Sequence, residues 1–210
     1  KRQETIDLGL IVTERPTVDI LYEIFDEIVK HTGVPTEGDY LNWQYGGWAA
    51  SMSSYGQNGK YYATITYNIV YYTNYEQEQA MNSAVSSTLK QLKLDGMNDY
   101  QKIKSIYDYM CKNISYDYDN LNNDAYKLKH TAYAALINKK SVCQGYAVLF
   151  YRLALEENVD ARLVSGTGNG GAHAWNIVKI DGKYYNLDAT WDAGRSSYGY
   201  FLKGTKNFSD

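Results

Sequence analysis

Residues 173–190 have the pattern of a β-hairpin, and this segment limits the possible folds more than any other part of the chain. The run 173–180 alternates like a strand, Asp181-Gly182 is a strong signal for a two-residue turn, and a second alternating run follows. With such a turn Ile180 pairs with Lys183, which sets the register of every other pair. The segment therefore predicts two adjacent antiparallel strands of defined register.

This register brings four side chains to one face of the hairpin. His173 is expected to face Thr190, and Trp175 to face Asp188. Paired residues share a face, and so do residues two apart on one strand. Asp188 is then the diagonal neighbour of His173, about 7–8 Å away between backbones, which is within reach of a carboxylate. We predict a His173–Asp188 pair.

A cysteine opens a strongly predicted helix. Ser141 followed by Gln144 fits a capping box, which predicts Ser141 as the N-cap and places Cys143 in the first turn. Free N–H groups and the helix dipole stabilise a thiolate there. A helix N-terminus or a paired His lowers a cysteine pKa from about 8.5 to about 3.5–7.5. Cys143 is therefore predicted to be a nucleophile.

These three residue types have complementary chemical roles. Cys143 would attack a carbonyl carbon, and His173 would act as base and later as acid. Asp188 would hold the imidazole in the correct tautomer and stabilise its charge. The pattern predicts a catalytic triad for acyl transfer.

Other residues are weaker candidates for the same site. The backbone N–H of Cys143 is expected to stabilise an oxyanion, and Gln144 and Tyr116 are candidates for a second donor or for substrate contact. Trp175 and Trp191 either line the acyl groove or fill the core, and both interpretations stay open.

Three motifs resemble the bacterial transglutaminase-like superfamily: Ser-Val-Cys-Gln-Gly-Tyr-Ala from Ser141, His-Ala-Trp-Asn from His173 and Leu-Asp-Ala-Thr-Trp-Asp from Leu187. The resemblance spans residues 99–202. It implies an α+β fold with a papain/transglutaminase-like core, in which a Cys-bearing helix packs on an antiparallel sheet. It also implies the triad Cys143, His173 and Asp188. Members include cross-linking enzymes, peptidases, amide-cleaving enzymes and inactive relatives, so the reaction stays open.

We predict two regions, an N-terminal α/β accessory region at 1–97 and a transglutaminase-like catalytic core at 98–210. The first has a helix beginning after Thr17, followed by a hairpin around the turn 56–59. Asn74 and Asn98 each fit a capping box at the start of a helix.

Two further segments of the core have weaker patterns. The glycine-rich stretch 166–171 is predicted as a flexible loop, and Tyr198–Lys203 as a last strand.

Composition excludes several functions. The net charge of −3 and pI near 5.7 argue against a general nucleic-acid binder. No run of 18 apolar residues exists, so no membrane span is predicted. No His/Cys cluster has metal-ligand spacing, so neither a metal nor another cofactor is expected. Cys111 lies beside an apolar helix stripe and is expected in the core.

The 23 tyrosines, with abundant Asn, Ser and Gly, are typical of secreted bacterial surface proteins. The family resemblance agrees, so a secreted or cell-surface location is expected. The chain begins with Lys1, so a secretion signal would lie outside the sequence.

The predicted function is acyl transfer on protein or peptide amides through a thioester on Cys143, ending in hydrolysis or cross-linking. Protein or peptide substrates are the expected partners, with cell-wall components as further candidates. The alternative is a catalytically silent cell-surface binding module of the same fold, suggested by the many aromatic residues before residue 97. Acetyl transfer from coenzyme A ranks below both, because no basic cluster suits its phosphates.

Overall fold

The structure is a computed structural model that describes residues 2–208. Residues 1, 209 and 210, the outer ends of the two predicted regions, lie outside the described residues. The described chain is α+β, with helices and antiparallel sheets around two apolar cores. This confirms the predicted fold class.

The N-terminal part is a three-stranded antiparallel sheet with a helix on one face. In chain order it contains β1 (Thr5–Val12), α1 (Asp19–Val29), α2 (Asp39–Asn42), β2 (Tyr45–Gln57) and β3 (Lys60–Tyr71). The strand order is β1-β3-β2, so β1 and β2 form the two edges. The predicted helix and hairpin are confirmed, whereas α2 was not predicted.

Alternating side chains build the N-terminal core. Leu21 and Phe25 of α1 are buried against Ile65 and Tyr67 of β3. The hairpin turns at Asn58-Gly59, where φ is 51° and 70°, values that fit the type I′ turn of two-residue hairpins.

The predicted cap of the first helix is wrong. Val18 is the N-cap and makes no side-chain cap bond, while the Thr17 hydroxyl donates to the Asp19 carboxylate at 3.2 Å. The helix therefore begins one residue later than the predicted cap implied.

Two long helices follow, α3 (Tyr75–Leu92) and α4 (Asp99–Asn113). Asn74 and Asn98 each accept from the backbone N–H three residues on, and Gln77 and Gln101 return the bond to the cap backbone. Both predicted capping boxes are confirmed.

The rest of the chain surrounds one buried helix. Its elements are β4 (Ser115–Tyr116), a 3₁₀ helix (Lys127–His130), α5 (Ala132–Leu136), β5 (Lys140–Ser141), α6 (Cys143–Glu156), β6 (Ala161–Gly168), β7 (Gly171–Ile180), β8 (Lys183–Leu187), α7 (Ala189–Asp192) and a second 3₁₀ helix (Thr205–Asn207). β4 pairs with β5 in parallel, and β6, β7 and β8 form an antiparallel sheet in that order.

Helix α6 is the centre of the larger core. Every residue from Gly145 to Leu155 is buried, and the helix packs against α4, α5 and the sheet strands β6 and β7. A helix that is apolar around its whole circumference has to be covered on all sides. The predicted packing of the Cys-bearing helix on an antiparallel sheet is confirmed.

Residues before position 97 also reach this core. Met81 and Val85 of α3 and Tyr40 of α2 are buried in it. The Gln44 side chain accepts from the Ala132 N–H at 3.0 Å and donates to the Tyr40 carbonyl at 2.9 Å. The division near residue 97 stays a prediction.

A buried lysine organises the loop between β4 and the first 3₁₀ helix. Lys129 is 2% exposed, and its ammonium donates to the backbone carbonyls of Asn120, Leu121 and Asn123 at 2.7, 2.9 and 3.0 Å. Three acceptors satisfy the three donors of a lysine, so this cation is fully bonded without a carboxylate.

Two predicted segments differ from the structure. The predicted loop 166–171 is mostly strand, because β6 continues to Gly168 and β7 begins at Gly171. Tyr198–Lys203 is not a strand, and only an isolated bridge joins Lys203 to Asn186. Its aromatic residues pack instead, as Tyr198 and Phe201 do against Tyr107. Among the helices of residues 2–208, none is long and apolar enough to cross a bilayer.

Candidate active site

Cys143 is the first residue of α6 and is half-buried. The N-cap is Val142, which makes no side-chain cap bond. The predicted capping box is wrong because Ser141 lies in β5, paired with Tyr116, and its buried hydroxyl has no partner in the described chain. The predicted place of Cys143 in the first turn is nevertheless confirmed.

The Gln144 side chain binds the N-terminal part of the chain. Its amide donates to the backbone carbonyl of Trp43, the residue that ends α2. This contact joins the start of α6 to the N-terminal region, a connection that no sequence pattern indicated.

His173 lies on β7, buried beside Asp188. The imidazole Nε2 is 2.5 Å from Oδ2 of Asp188. Burial lowers the pKa of His173, but hydrogen bonds that its ring donates to Asp188 and Cys143, together with the negative charge of these groups, outweigh burial and raise that pKa from 6.5 to about 9. Because Asp188 takes Nε2, Nδ1 is the nitrogen left for Cys143. The structure therefore brings the three predicted residues together.

Asp188 reaches His173 by a route that differs from the prediction. The β7–β8 register is the predicted one, with Ile180 opposite Lys183, but pairing ends at Leu187. Asp188 is the N-cap of α7, and its Oδ1 accepts from the backbone N–H groups of Thr190 and Trp191 at 2.9 and 3.3 Å. The predicted strand pairs of His173 with Thr190 and of Trp175 with Asp188 are absent, because the chain turns into a helix there.

Two indole rings lie alongside the imidazole. The Trp191 ring stacks on His173 with centroids 4.5 Å apart and planes 9° from parallel. The Trp175 ring is 6.1 Å from His173, and its N–H donates to Asn186 at 3.0 Å. A flat indole face favours a cationic imidazole, so the Trp191 ring orients His173 and supports its charged form.

Glycines on β6 make room for these rings. A Cβ at Gly168 would lie 2.6 Å from the Trp191 ring, and a Cβ at Gly166 would lie 2.6 Å from the Trp175 ring. Both glycines are therefore strand residues required by close approach, a known reason for glycine within a strand. Their spacing of two residues was the sequence signal that the loop interpretation missed.

Tyr116 lies next to the start of α6. Burial, then the charge of Cys143, raises the pKa of Tyr116 to about 12, while a hydrogen bond from the Cys143 backbone opposes the rise. The phenol is therefore protonated at neutral pH and lies beside the Cys143 N–H. Because that N–H donates to the phenol oxygen, the Tyr116 hydroxyl is the donor left free beside Cys143.

A cavity of about 480 Å³ opens beside Tyr116. Cys111, Tyr118, Lys139, Thr190 and Gly194 contribute to its lining. None of Cys143, His173 and Asp188 is among its lining residues, so this cavity is separate from the triad.

The remaining candidate residues lie elsewhere. Cys111 is buried, its thiol is 3.7 Å from the Ala189 carbonyl, and burial raises its pKa. Both cysteines are free. Burial lowers the pKa of His130 to about 4. Within residues 2–208, no group of three or more His, Cys, Asp or Glu side chains is arranged to hold a metal ion.

Residues 86–189 match the family described as the transglutaminase-like superfamily. The chain carries a transglutaminase-like domain. The matched segment contains Cys143, His173 and Asp188 and runs from α3 to the start of α7. The predicted family resemblance is confirmed.

Known proteins similar to this transglutaminase-like chain include two curated relatives. The chain is 28% identical over 130 residues to the kyphoscoliosis peptidase of Mus musculus, covering 56% of this chain and 19% of that protein. It is 26% identical over 133 residues to the kyphoscoliosis peptidase of Homo sapiens, covering 57% and 20%. The match thus spans about a fifth of the length of these relatives.

A solved structure shares the transglutaminase-like fold. A crystal structure of a TGase superposes with a TM-score of 0.52 at 18% identity, covering 78% of this chain and 50% of that chain. At this identity the likeness shows the fold alone.

Proposed function

We propose that this chain is a cysteine acyl-transfer enzyme that acts on protein or peptide amides through a thioester on Cys143. The observation that supports the proposal best is the arrangement around His173, which bonds to Asp188 and whose pKa is raised by both Asp188 and Cys143. The Cys143 thiol has a base in His173, and a carboxylate in Asp188 orients that base, as a thiol nucleophile requires. The likeness to the TGase crystal structure supports the fold and not the reaction.

In the first half of the reaction, the sulfur proton first passes to Nδ1 of His173, a transfer that its raised pKa favours, and the Cys143 sulfur then attacks the amide carbon and forms a C–S bond. The resulting oxyanion lies beside the start of α6, where the hydroxyl of Tyr116 donates to it and the N–H of Cys143 exchanges its bond to Tyr116 for one to the oxyanion. The C–N bond then breaks, the amine takes the proton from His173, and a thioester remains.

In the second half, water or an amine attacks the thioester carbon, and His173 accepts the proton of the attacking group. The C–S bond breaks, and the proton returns to sulfur. Water gives hydrolysis, and a lysine amine gives an isopeptide bond.

Hydrolysis is the first reaction to test, because the curated relatives are named peptidases. The protein is incubated with a mixture of peptides, and products are identified by mass spectrometry. A parallel reaction contains a glutamine donor and a fluorescent amine. Activity in either reaction, lost in Cys143→Ala and kept in Cys111→Ala, supports the proposal.

Thiol labelling provides a second test that needs no substrate. Iodoacetamide should label half-buried Cys143 much faster than buried Cys111. His173→Gln should slow the labelling of Cys143 and leave that of Cys111 unchanged. No product in either reaction, combined with equal labelling of the two cysteines, would rule out the enzyme.

We also propose that the protein works outside the cell or on its surface. The composition supports this location, and cell-wall components join proteins and peptides as candidate partners. Fractionation of the producing cells with an antibody to this chain tests it, and recovery only from the cytoplasmic fraction would contradict it.

A further inference from the structure

Strand β2 leaves one full edge of the N-terminal sheet unpaired. The two-residue turn makes Gln57 and Lys60 a hydrogen-bonded pair, so the odd-numbered residues of β2 bond to β3. The even-numbered residues Trp48, Ala50 and Met52 point their N–H and C=O groups away from β3. No strand of the described chain lies on that side.

The other side of β3 supports this assignment. The N–H of Ile69, an odd-numbered residue of β3, donates to the Glu4 carbonyl at 2.8 Å. Odd-numbered residues of β3 therefore bond towards β1, and even-numbered ones towards β2. By the same alternation, the N–H and C=O groups of Gly9 and Ile11 in β1 point outward from the opposite edge of the sheet.

The free edge of β2 lacks the usual protection against pairing. Over its 13 residues β2 has neither a charged side chain nor a proline. Proteins commonly block exposed edges with lysine, proline or a bulge, and here a bulge occurs only at the first residues, between Tyr45 and Gly47. The rest of the edge is open to another strand.

A groove runs between this edge and helix α1. It has a volume of about 540 Å³ and is lined on the helix side by Tyr22, Phe25 and Val29, and on the strand side by Trp48 and Ala50. The Trp48 ring stacks on Phe25 at 4.8 Å and meets Tyr22 edge-on at 5.2 Å. Aromatic rings form an apolar floor, Asp26 and Asn42 add polar groups to the lining, and one wall offers backbone donors and acceptors.

We propose that this groove binds an extended polypeptide segment, which adds to β2 as a fourth strand. The backbone of the segment would bond to the N–H and C=O groups of Trp48, Ala50 and Met52. Alternate side chains would enter the apolar floor, so the segment should alternate apolar and polar residues. Asp26 also lines the groove and favours a basic residue in the segment. This site lies outside the triad, so the proposal goes beyond the proposed function.

A single segment fits the groove better than a second copy of the chain. A copy that paired through its own β2 would bring its own α1 along the same face of the sheet. Its Trp48 already packs under its own helix, so no free side chain would be left to fill the groove.

The test begins with a phage library of random octapeptides selected on the whole protein, from which a peptide is synthesised with a fluorescent label. Ala50→Pro removes an N–H that faces the groove, and Gly9→Pro removes one that faces outward from β1. Loss of one backbone bond should weaken binding about tenfold. We expect that loss for Ala50→Pro and less than about a twofold change for Gly9→Pro.

Amide hydrogen exchange measured by NMR on the unmodified protein gives a readout that does not depend on either variant folding. Adding the peptide should slow exchange at Trp48, Ala50 and Met52. Selection of no peptide, equal losses in the two variants, or slowed exchange at other residues would overturn the proposal. Slowed exchange at β2 that depends on protein concentration without peptide would also overturn it, because the occupant would then be a second copy.

Discussion

At the residue scale, the carboxylate of Asp188 has two partners. One oxygen holds His173 and the other caps α7. The side chain is 1% exposed, so both bonds form away from water and both are strong. Asp188 therefore positions the imidazole and ends the sheet at the same point.

Asp188→Asn should separate these two contributions. Asparagine is also a good N-cap, so α7 should persist, but the negative charge that raises the pKa of His173 is lost. That pKa should fall from about 9 towards or below its ordinary 6.5, as followed by NMR titration of the ring protons. A pKa that stays near 9 would contradict the role of Asp188.

The same pKa has a consequence for stability. Because the folded-state pKa of His173 is raised, its contribution to folding is complete below pH 6.5 and is lost as pH rises to about 9. In Asp188→Asn the free energy of unfolding should change less over that window. Chemical denaturation at several pH values measures it.

Tyr116→Phe tests the second oxyanion donor. Removing one such donor typically lowers kcat about 10²–10³-fold, with little effect on KM. The matched control is Tyr118→Phe, since the Tyr118 ring packs against that of Tyr116 with centroids 4.8 Å apart but is itself exposed. Kinetics on the substrate found by the peptide screen decide it, and equal effects of the two variants would remove Tyr116 from the mechanism.

At the element scale, the sheet of β6, β7 and β8 shows where sequence patterns succeed and fail. The β7–β8 register was predictable because Asp181-Gly182 fixes it. Strand β6 was misread at its end because glycine has a low strand propensity, and the rings that require Gly166 and Gly168 come from other elements, β7 and α7. The helix cap at Asp188 was missed because the alternating pattern of β8 was read as a strand that continues to Thr190.

Gly168→Ala and Gly171→Ala should differ sharply. At Gly168 the new methyl group would lie 2.6 Å from the Trp191 ring, whereas at Gly171 the nearest atom is 3.9 Å away. Overpacking of this kind costs about 1–3 kcal/mol, so Gly168→Ala should lower the free energy of unfolding and the activity. Gly171→Ala should change neither by much, and similar denaturation curves for the two variants would contradict the packing described.

At the scale of the whole molecule, the N-terminal region is bonded to the core that holds Cys143. Besides Gln44 and Gln144, Arg162 of β6 pairs with Asp39 of α2 at 3.1 Å, and His31 bonds to Tyr151 of α6 at 3.0 Å. Sequence patterns could not predict these contacts, because each joins residues more than 85 positions apart. Because these contacts join the N-terminal region to the core, we expect the two regions to unfold together.

Gln44→Ala tests this coupling. The change leaves the buried N–H of Ala132 without its acceptor, which costs about 1–3 kcal/mol. Calorimetry should show one transition at a lower Tm in the variant and one in the parent. Gln57→Ala, at the exposed end of the hairpin, should leave the Tm unchanged, and two separate transitions in the parent would contradict the coupling.

The lysine inside the loop that follows Tyr116 has a consequence for handling the protein. Many loops rich in Asp and Asn owe their order to a dissolved ion, but here the positive charges belong to Lys129, which bonds the backbone carbonyls of the loop, and to Lys140, which pairs with Asp117 and Asp119. Chelators cannot remove a covalently attached cation. Purification in EDTA should therefore leave this loop intact.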